Sequence, residues 1–499
     1  MRVIATIAGA VAFSLCGLQG SFAQSAPSWI QLSVTGAVPD ARGSHSAIYD
    51  SVNERMSIFG GFTANYICGF GLPVANDAWV LTHATGLGGA PQWSALSPCT
   101  PPSNSAPLPR FAQAAAYDPG TNAMIMFAGL ANPYDVTAVQ NDAWIASNAN
   151  GLGGASSWTK LYPYGGPPLP RYAPGTVYNP ASNRMTVFGG GDAAGVLDDL
   201  WVLTNANGSG GPPTWYQLAV SGGPPPARTF HTAVYDPLAN RMIVFGGTTG
   251  PLALNDVWVL SNADGLGGYP VWTQLNPSGG PPPPRAMHTA TFDPTTNRMT
   301  IFGGGSDPVG SNDVWVLSNA NGLGGPPTWT QLSPSGGPPQ QRIRASAVYH
   351  PATNRMTLYS GFSGCCFIGD LWVLTNANGL TELEVAIEIK PPSQPPVPIN
   401  LRSAGLIPVA ILSTSTFDAT GVDPQTILLS GASVKLKGKS GQFSCSKEDV
   451  NEDGRADLLC HVTTDQLQLQ SGATTAILTG STFAGTPIRG QQAIVVVPQ

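Results

Sequence analysis

Charged side chains are scarce in this chain of 499 residues. Lysine and arginine number 22 and aspartate and glutamate 28, so 10% of the residues are charged and the formal net charge is −6. Nucleic acids and anionic membranes attract basic patches, and the chain has no excess of positive charge to form one. The composition therefore argues against a nucleic-acid-binding protein.

Long apolar runs and catalytic motifs are also missing. After residue 23 no run is long and apolar enough to cross a bilayer, so we expect no membrane insertion of the mature chain. The sequence contains no Ser-His-Asp pattern, no His-x-x-x-His pair and no isolated pair of acids in a recognisable context. A binding protein is therefore favoured over an enzyme.

Residues 1–23 have the pattern of a secretory signal peptide. Arg2 precedes an apolar stretch over residues 3–18, and small residues lead to a cleavage position near Ala23. The alternatives are a retained anchor, for which the stretch is short, and a lipoprotein, for which Leu15 is a poor residue before Cys16. The pattern predicts a secreted, periplasmic or cell-surface protein.

One sequence unit recurs six times between residues 27 and 380. Each copy opens with an arginine, has a small pair eighteen residues later and then an Asp-x-Trp, and five copies carry a second tryptophan fourteen residues further on. The opening arginines are Arg42, Arg110, Arg171, Arg228, Arg285 and Arg342. Four apolar runs separated by Gly, Pro, Asn and Asp clusters are typical of a four-stranded antiparallel meander. Recurrence at this period predicts stacked copies with a shared core.

The sixth copy lacks its second tryptophan, and the N-terminus supplies one. Ala386 stands where that tryptophan is expected, while Trp29 begins a Trp-Ile-Gln-Leu run at the usual distance before Arg42. A strand at Trp29 that joins the last sheet removes an exposed edge. The sequence therefore predicts an all-β fold, a six-bladed propeller over residues 27–380 that the N-terminal strand closes.

These motifs carry a family resemblance. The glycine doublet after an apolar strand, the Asp-x-Trp and the Trp-x-x-Leu resemble Kelch repeats, which form β-propellers, over residues 29 to about 380. Ala128 and Ser360 depart from the doublet. Kelch propellers include binding platforms, exported sialic-acid mutarotases and galactose-oxidase-like copper enzymes. The copper site of the last group needs two tyrosines, two histidines and a tyrosine crosslinked to cysteine, and no matching set is visible.

Loop lengths point to one face as the working surface. The interval from the small pair to the Asp-x-Trp is longest in blades one and two, and the exit from blade one is also long. Variable loops on a rigid scaffold usually carry recognition, although loops also vary where nothing constrains them. The candidate ligand-binding residues are Asn65, Tyr66, Phe70, Asn132, Tyr134, Asp135, Phe362 and Phe367.

Residues repeated in the blades have a structural and a functional interpretation. The arginines could collect an anion at the channel mouth, but residues present in every blade more often hold the blades together. His45, His231 and His288 occupy equivalent positions and could form a metal or proton-transfer site near the axis. The structural interpretation is favoured in both cases.

Six cysteines remain after the signal, which favours disulfides in an exported chain. Cys68 and Cys99 lie in two loops that open on the same face of blade one, and we predict that they pair. Cys365 and Cys366 are adjacent in blade six, where a vicinal bond, free thiols and pairing with the blade-one cysteines all remain open. The last pair, Cys445 and Cys460, flanks an acidic loop.

Residues 383–499 predict a second domain, a small β-sandwich of short strands. It resembles a C-terminal domain of exported bacterial proteins through VAIEIKP, LIPVAILST and FDAT. Its acidic loop has oxygen side chains at positions 1, 3, 5 and 9, glycine at 6 and a main-chain ligand at 7, as in the calcium loops of dockerins and integrin-type propellers. The predicted ligands of a structural Ca²⁺ are Asp449, Asn451, Asp453, Arg455 and Asp457. An acidic turn without metal is the alternative.

The leading prediction is an exported Kelch propeller that binds a glycan or an extracellular protein through the loops of blades one, two and six. A secreted carbohydrate-active enzyme, of the mutarotase or oxidase kind, is the second hypothesis. A purely structural component of the cell surface is the third.

Overall fold

Alternating apolar residues and Asn- or Gly-containing turns fold each repeat into one antiparallel sheet. The computed structural model describes residues 26–497 except 66, 67, 69, 70, 101–104, 307, 381, 382, 402, 404, 415, 416, 439, 440, 471, 484 and 485. The predicted signal peptide therefore lies outside the described residues. Two compact units are present, within Ala26–Thr381 and within Glu382–Gln499.

The first unit contains sheets 1 to 6, numbered in chain order. Sheet 1 consists of Thr35–Gly36, Arg42–Gly43, Ser46–Asp50, Arg55–Thr63, Val74–Thr82 and Gln92–Ser97. Sheet 2 consists of Ala114–Asp118, Ala123–Phe127, Ala143–Ala146 and Trp158–Leu161. Sheet 3 consists of Gly175–Asn179, Arg184–Gly191, Val196–Thr204 and Thr214–Gln217.

The next two sheets repeat this order with strands of five residues each. Sheet 4 consists of Thr232–Asp236, Arg241–Phe245, Val257–Ser261 and Val271–Leu275. Sheet 5 consists of Thr289–Asp293, Arg298–Phe302, Val314–Ser318 and Thr328–Leu332. The innermost strand is Ser46–Asp50 in sheet 1 and the first strand in the other sheets, because these strands of successive sheets contact one another.

Sheet 6 is assembled from both ends of the unit. Ser346–His350, Arg355–Tyr359 and Leu371–Thr375 supply three strands, and Ser28–Gln31 supplies the fourth. This strand runs antiparallel to Leu371–Thr375, with Trp29 opposite Leu374 and Gln31 opposite Trp372. The strand from the start of the propeller region thus occupies the edge that the sixth repeat leaves unpaired.

Neighbouring sheets are joined by one recurrent aromatic contact. The aromatic residue at the fifth position of the strand that follows the innermost one packs on the second tryptophan of the next repeat, with ring centroids 4.6–5.2 Å apart. The pairs are Phe59–Trp158, Phe127–Trp215, Phe188–Trp272, Phe245–Trp329, Phe302–Trp29 and Tyr359–Trp93. Such pairs add packing energy beyond the area they bury. Trp29 makes the same contact as the other five tryptophans, so the seam is built like the rest of the unit.

The second unit has two sheets around one apolar cluster. The first sheet consists of Leu383–Glu384, Val397–Ile399, Leu428–Leu429, Ala432–Ser433, Thr475–Ser481 and Pro487–Val496. The second sheet consists of Ile387–Ile389, Leu406–Ile411, Cys445–Glu448 and Asp457–Thr463. A separate hairpin joins Leu436–Lys437 to Gln442–Phe443.

Helical structure is limited to short 3-10 turns in the described part of the chain. They span Pro351–Thr353, Ala419–Gly421, Pro424–Thr426 and Thr464–Gln466. None of these turns has the length or the apolar character that a membrane span needs.

Candidate functional site

The six repeated arginines form hydrogen bonds and ion pairs within their own sheets. In sheet 3, Arg171 Nη1 donates to the Gly189 carbonyl at 2.9 Å and to Asp199 Oδ1 at 2.6 Å. Arg171 Nη2 donates to Asp199 Oδ2 at 2.8 Å, and Trp201 Nε1 donates to the same oxygen at 2.7 Å. We call this set the Arg-Asp-Trp clamp. It joins the start of the first strand to the second and third strands.

The clamp recurs in every sheet of the first unit. The other members are Arg42–Asp77–Trp79, Arg110–Asp142–Trp144, Arg228–Asp256–Trp258, Arg285–Asp313–Trp315 and Arg342–Asp370–Trp372. The six guanidinium groups are buried. The hypothesis that these arginines collect an anionic ligand is therefore wrong, because their donors are already bonded to carboxylates and carbonyls.

A closed ring of main-chain hydrogen bonds surrounds the axis of the first unit. It is formed by the residue two positions after each clamp arginine, and we call it the axial ring. The members are Ser44, Ala112, Ala173, Phe230, Met287 and Arg344. Each N–H donates to the carbonyl of the equivalent residue in the preceding sheet at 2.7–3.2 Å, and Ser44 donates to Arg344. All six residues have φ between 48° and 61°, and none is glycine.

The side chains of the axial ring line a cavity of about 150 Å³, which we call the mouth cavity. Sheets 1 to 3 contribute Ser44, Ala112 and Ala173, and sheets 4 to 6 contribute the larger Phe230, Met287 and Arg344. Small side chains therefore line the cavity on the side of sheets 1 to 3, and large side chains line it on the side of sheets 4 to 6. The second layer of the lining contains His45, Gln113, Pro174, His231, His288 and Ala345.

Arg344 differs from the six clamp arginines. Within the described residues its guanidinium has neither a carboxylate at salt-bridge distance nor a hydrogen-bond acceptor, and its central carbon lies 5.8 Å from the Phe230 ring centre. Burial lowers the pKa of Arg344 below its ordinary value. Arg344 is half-buried, and a guanidinium partly removed from water without a counter-charge gains from a ligand that supplies one.

Aromatic side chains pack next to the residues of the axial ring, and we call them the aromatic rim. Phe367 packs on Phe362 and on Phe62, with centroids 5.2 and 5.3 Å apart, and Phe62 packs on Phe111 at 5.7 Å. The rim continues on the other side with Tyr172, 5.7 Å from Phe230. Gly43 connects the rim to Arg344, because a Cβ built on it would lie 3.1 Å from both Arg344 Cβ and Phe367 Cε1.

None of the predicted ligand-binding residues that the structure describes lines the mouth cavity. Of the eight, only Phe362 and Phe367 belong to the aromatic rim. Tyr66 and Phe70 lie outside the described residues. Asn65 Nδ2 donates to Asp40 at 3.4 Å on the exposed surface.

The remaining three predicted residues form a loop of sheet 2. Asn132 and Asp135 accept hydrogen bonds from the main chain of Tyr134 and Thr137, and Tyr134 is 72% exposed. The sequence prediction missed the axial ring, since its side chains have no common chemistry. The only available signal was position, because each member stands two residues after a repeated arginine.

The three equivalent histidines follow the axial ring by one residue, and two of them bond to the preceding sheet. His45 Nε2 shares a hydrogen bond with Ser346 Oγ at 2.6 Å, and His288 Nε2 does so with Thr232 Oγ1 at 2.8 Å. Desolvation and the charge of Arg42 lower the pKa of His45 to about 3, and desolvation and Arg228 lower that of His231 to about 3. Within the described residues no three His, Cys, Asp or Glu side chains gather around a common point.

We expect these buried histidines to make the first unit acid-sensitive. Their folded-state pKa lies below the ordinary value near 6.5, so the unfolded chain binds more protons between pH 6.5 and about 3. Stability is complete above pH 6.5 and falls below it, by up to about 1.4 kcal/mol per pH unit for each histidine. Urea titrations at pH 7 and 5 should show a smaller loss for His45→Phe than for wild type. An equal loss in both proteins would contradict this assignment.

The described cysteines form three pairs. The structure joins Cys68 to Cys99, Cys365 to Cys366 and Cys445 to Cys460. The vicinal pair is exposed in the loop between Phe362 and Phe367 of the rim. The last pair faces across two adjacent strands of the second unit.

The predicted calcium loop folds around its own main chain. Asp449 accepts from the N–H groups of Asp453 and Gly454, and Asp453 accepts from that of Arg455. Asp457 is buried and accepts from Ser413 N at 2.7 Å and Val450 N at 2.9 Å. The side chains of the loop offer oxygen atoms as metal ligands, which suit Ca²⁺. Arg455 Nη1 lies 3.3 Å from Asp453 Oδ2.

Comparison with known proteins finds a matching family and distant relatives. The model of the KLHDC2/KLHL20/DRC7 Kelch-repeats domain matches residues 153–265 and 269–400. Tip elongation aberrant protein 1 of Schizosaccharomyces pombe is 30% identical over 245 residues, which are 48% of this chain and 19% of that protein. Host cell factor 1 of Rattus norvegicus is 30% identical over 273 residues, 50% of this chain and 12% of that protein. The alpha chain of flagellar outer-arm dynein from Chlamydomonas reinhardtii is 32% identical over 213 residues, 40% of this chain and 4% of that protein. The chain thus corresponds to less than a fifth of the length of each of these relatives.

Proposed function

The chain is a Kelch-repeat protein with a β-propeller, and from this premise we propose that sheets 1 to 6 are the blades of a closed six-bladed propeller that binds a partner protein at its mouth. Closure is supported by the strand Ser28–Gln31 in sheet 6 and by the complete axial ring. Closure leaves no free sheet edge for non-specific pairing. Binding would then take place at a rigid face.

The observation that carries the binding proposal is the unpaired Arg344 inside the aromatic rim. Interface cores are enriched in aromatic residues and arginine, and desolvated pockets of this kind contribute most of the binding energy. The rim offers apolar contacts, and the guanidinium offers two parallel donors to a carboxylate. We therefore propose that the partner presents an acidic side chain flanked by apolar residues. The small side chains of sheets 1 to 3 leave room for its entry.

Replacing Arg344 should abolish most of this recognition. A library of defined peptides with one Asp or Glu between apolar residues is screened against the full chain, and the best peptide is measured by calorimetry. We expect Arg344→Gln to weaken its binding about tenfold to a hundredfold, since a charge-assisted bond is lost. Lys160→Gln, on the fourth strand of sheet 2, is the matched loss of one positive charge and should bind normally. Unchanged binding by Arg344→Gln, or no binder in the library, would overturn the proposal.

We further propose that the protein is exported and that a glycan is the alternative ligand. The signal-like pattern of residues 1–23 and the three cysteine pairs are consistent with an oxidising compartment. The oxidase hypothesis is not favoured, because the cysteines of the described chain pair with each other rather than with a tyrosine. The mutarotase hypothesis has no supporting carboxylate in the lining of the mouth cavity, taken over the described residues.

A structural Ca²⁺ in the second unit, proposed here as a small β-sandwich, remains part of the proposal. Asp449, Asn451, Asp453, the main-chain carbonyl of Arg455 and Asp457 would hold it. Binding to the folded state alone adds about 2.7 kcal/mol when calcium is present at 100 times its dissociation constant. We expect EGTA to lower the melting temperature of the second unit and added CaCl₂ to restore it. Asp453→Asn should reduce the response, and a melting curve that ignores EGTA in wild type would contradict the site.

A further inference from the structure

The axial channel continues below the mouth cavity into a second chamber. This chamber has a volume of about 210 Å³ and is lined by the innermost strands of sheets 1 to 5. Gln113, Pro174 and His231 line both chambers. These three residues, from sheets 2, 3 and 4, form a boundary that we call the waist.

A hydrogen-bonding rule governs the second layer around the axis. In three of the six sheets, the residue three positions after the clamp arginine bonds to a hydroxyl on the innermost strand of the preceding sheet. His45 follows the rule with Ser346, and His288 follows it with Thr232. Gln113 follows it with Ser46, at 3.1 Å from Nε2 to Oγ.

His231 breaks the rule because the preceding sheet has Gly175 at the hydroxyl position. A Cβ on Gly175 would overlap His231 Nε2, so the imidazole occupies the space of the missing side chain. His231 is 6% exposed, and among the described residues neither of its ring nitrogens has a hydrogen-bond partner. His45 and His288 each leave only Nδ1 unpartnered.

Two more buried polar atoms near the waist share this condition. Gln113 Oε1 and Thr176 Oγ1 have no partner in the described part of the chain. Thr176 lines the lower chamber, and Gln113, Pro174 and His231 come from the successive sheets 2, 3 and 4. Each unsatisfied buried group costs about 1–3 kcal/mol. The two ring nitrogens of His231, Gln113 Oε1 and Thr176 Oγ1 thus place four such atoms beside one channel, and each of them needs an explanation.

The chemistry of these atoms defines what would satisfy them. A neutral imidazole has one donor and one acceptor, an amide oxygen accepts, and a hydroxyl does both. The groups at the waist carry no charge, so they match neither a simple anion nor a simple cation. Hydroxyl groups, which donate and accept together, match all of them.

We propose that the waist binds a small neutral polyol, between glycerol and a monosaccharide in size. The mouth cavity, about 150 Å³, and the lower chamber, about 210 Å³, have room for about five and about seven waters at roughly 30 Å³ each. One chamber therefore suits a compound with about the heavy-atom count of glycerol, and both together suit one of about monosaccharide size. Hydroxyls of the polyol would bond to His231, Gln113 Oε1 and Thr176. This site is distinct from the proposed partner contact at Arg344, and either can exist without the other.

Nitrogen-15 NMR of the histidine rings in the full chain tests the site directly. Glycerol, glucose, galactose and mannose are titrated separately into protein labelled at histidine. We expect at least one of them to shift both ring nitrogens of His231 in a saturable manner. The signals of His83, which lines neither chamber, serve as the internal reference.

Two variants distinguish this site from the rest of the molecule. His231→Phe keeps the ring volume and should weaken polyol binding at least tenfold, whereas His83→Phe should leave it unchanged. Arg344→Gln should leave the polyol-induced shifts of His231 intact even where it abolishes peptide binding. If none of the four compounds moves the His231 signals, or if those signals report exchange with water alone, the site holds only solvent and the proposal fails.

Discussion

Replacing Asp199 by alanine should destabilise the propeller by about 3–5 kcal/mol, a large part of the stability of a domain. The loss would leave the buried guanidinium of Arg171 without its counter-charge, and Trp201 Nε1 without its acceptor. Burial alone would raise the pKa of Asp199, but the hydrogen bonds and charge of Arg171 outweigh it and hold the pKa below its ordinary value. Urea denaturation at pH 7 measures the change.

The neighbouring Asp198 provides a matched control in the same strand. It is exposed, so Asp198→Ala should change the free energy of unfolding by less than about 0.5 kcal/mol. Replacing both charged clamp residues, by Arg171→Met with Asp199→Leu, should recover much of the stability, since no uncompensated charge remains. Equal effects of Asp198→Ala and Asp199→Ala would show that the clamp contributes nothing beyond surface charge.

Replacing Trp29 by alanine should cost about 3–5 kcal/mol and open the seam of sheet 6. Trp29 is 3% exposed, and its ring packs against Phe302 and Trp372 with centroids 5.2 and 6.5 Å away. A weakened Ser28–Gln31 strand would expose the edge of Leu371–Thr375, and exposed edges promote association. Denaturation measures the stability, and size-exclusion chromatography measures the association.

Trp158 occupies the equivalent position in sheet 2 but within a continuous stretch of chain. It is only half-buried, although it packs on Phe59 at 4.6 Å. Trp158→Ala should therefore cost less and should not cause association. Association of both variants to the same extent would mean that the terminal strand has no special role in closure.

The sheets of the first unit could be read from the sequence because turn chemistry and apolar alternation coincide six times. The predicted strand at Trp29 lies beside Trp372 in the structure, since one missing tryptophan and one surplus tryptophan left a single pairing. In the second unit the strand Thr475–Ser481 was missed, because Thr and Gly interrupt its short apolar run. Cys445–Glu448 was missed because it is polar and half-exposed.

The candidate site was less predictable than the fold. Loop length pointed to blades one and two, whereas the two candidates that belong to the rim, Phe362 and Phe367, lie in blade six. Arg344 carried no signal, since its neighbours in the axial ring are unrelated to it in size and polarity. Its significance depends on a left-handed backbone, a closed ring and the absence of a carboxylate among the described residues near it, and these are visible only in three dimensions.

The axial ring has a consequence for how such a protein changes its specificity. Its six hydrogen bonds use only main-chain atoms, so the scaffold does not depend on which side chains project into the mouth. At each of the six positions, a point substitution can change the side chain that lines the mouth without insertion, deletion or repacking. Glycine would relieve the left-handed strain at any of these positions, but it would place no side chain in the mouth there. A change of ligand specificity therefore needs very few substitutions, and the side chains of the mouth can diverge quickly while the sheets stay the same.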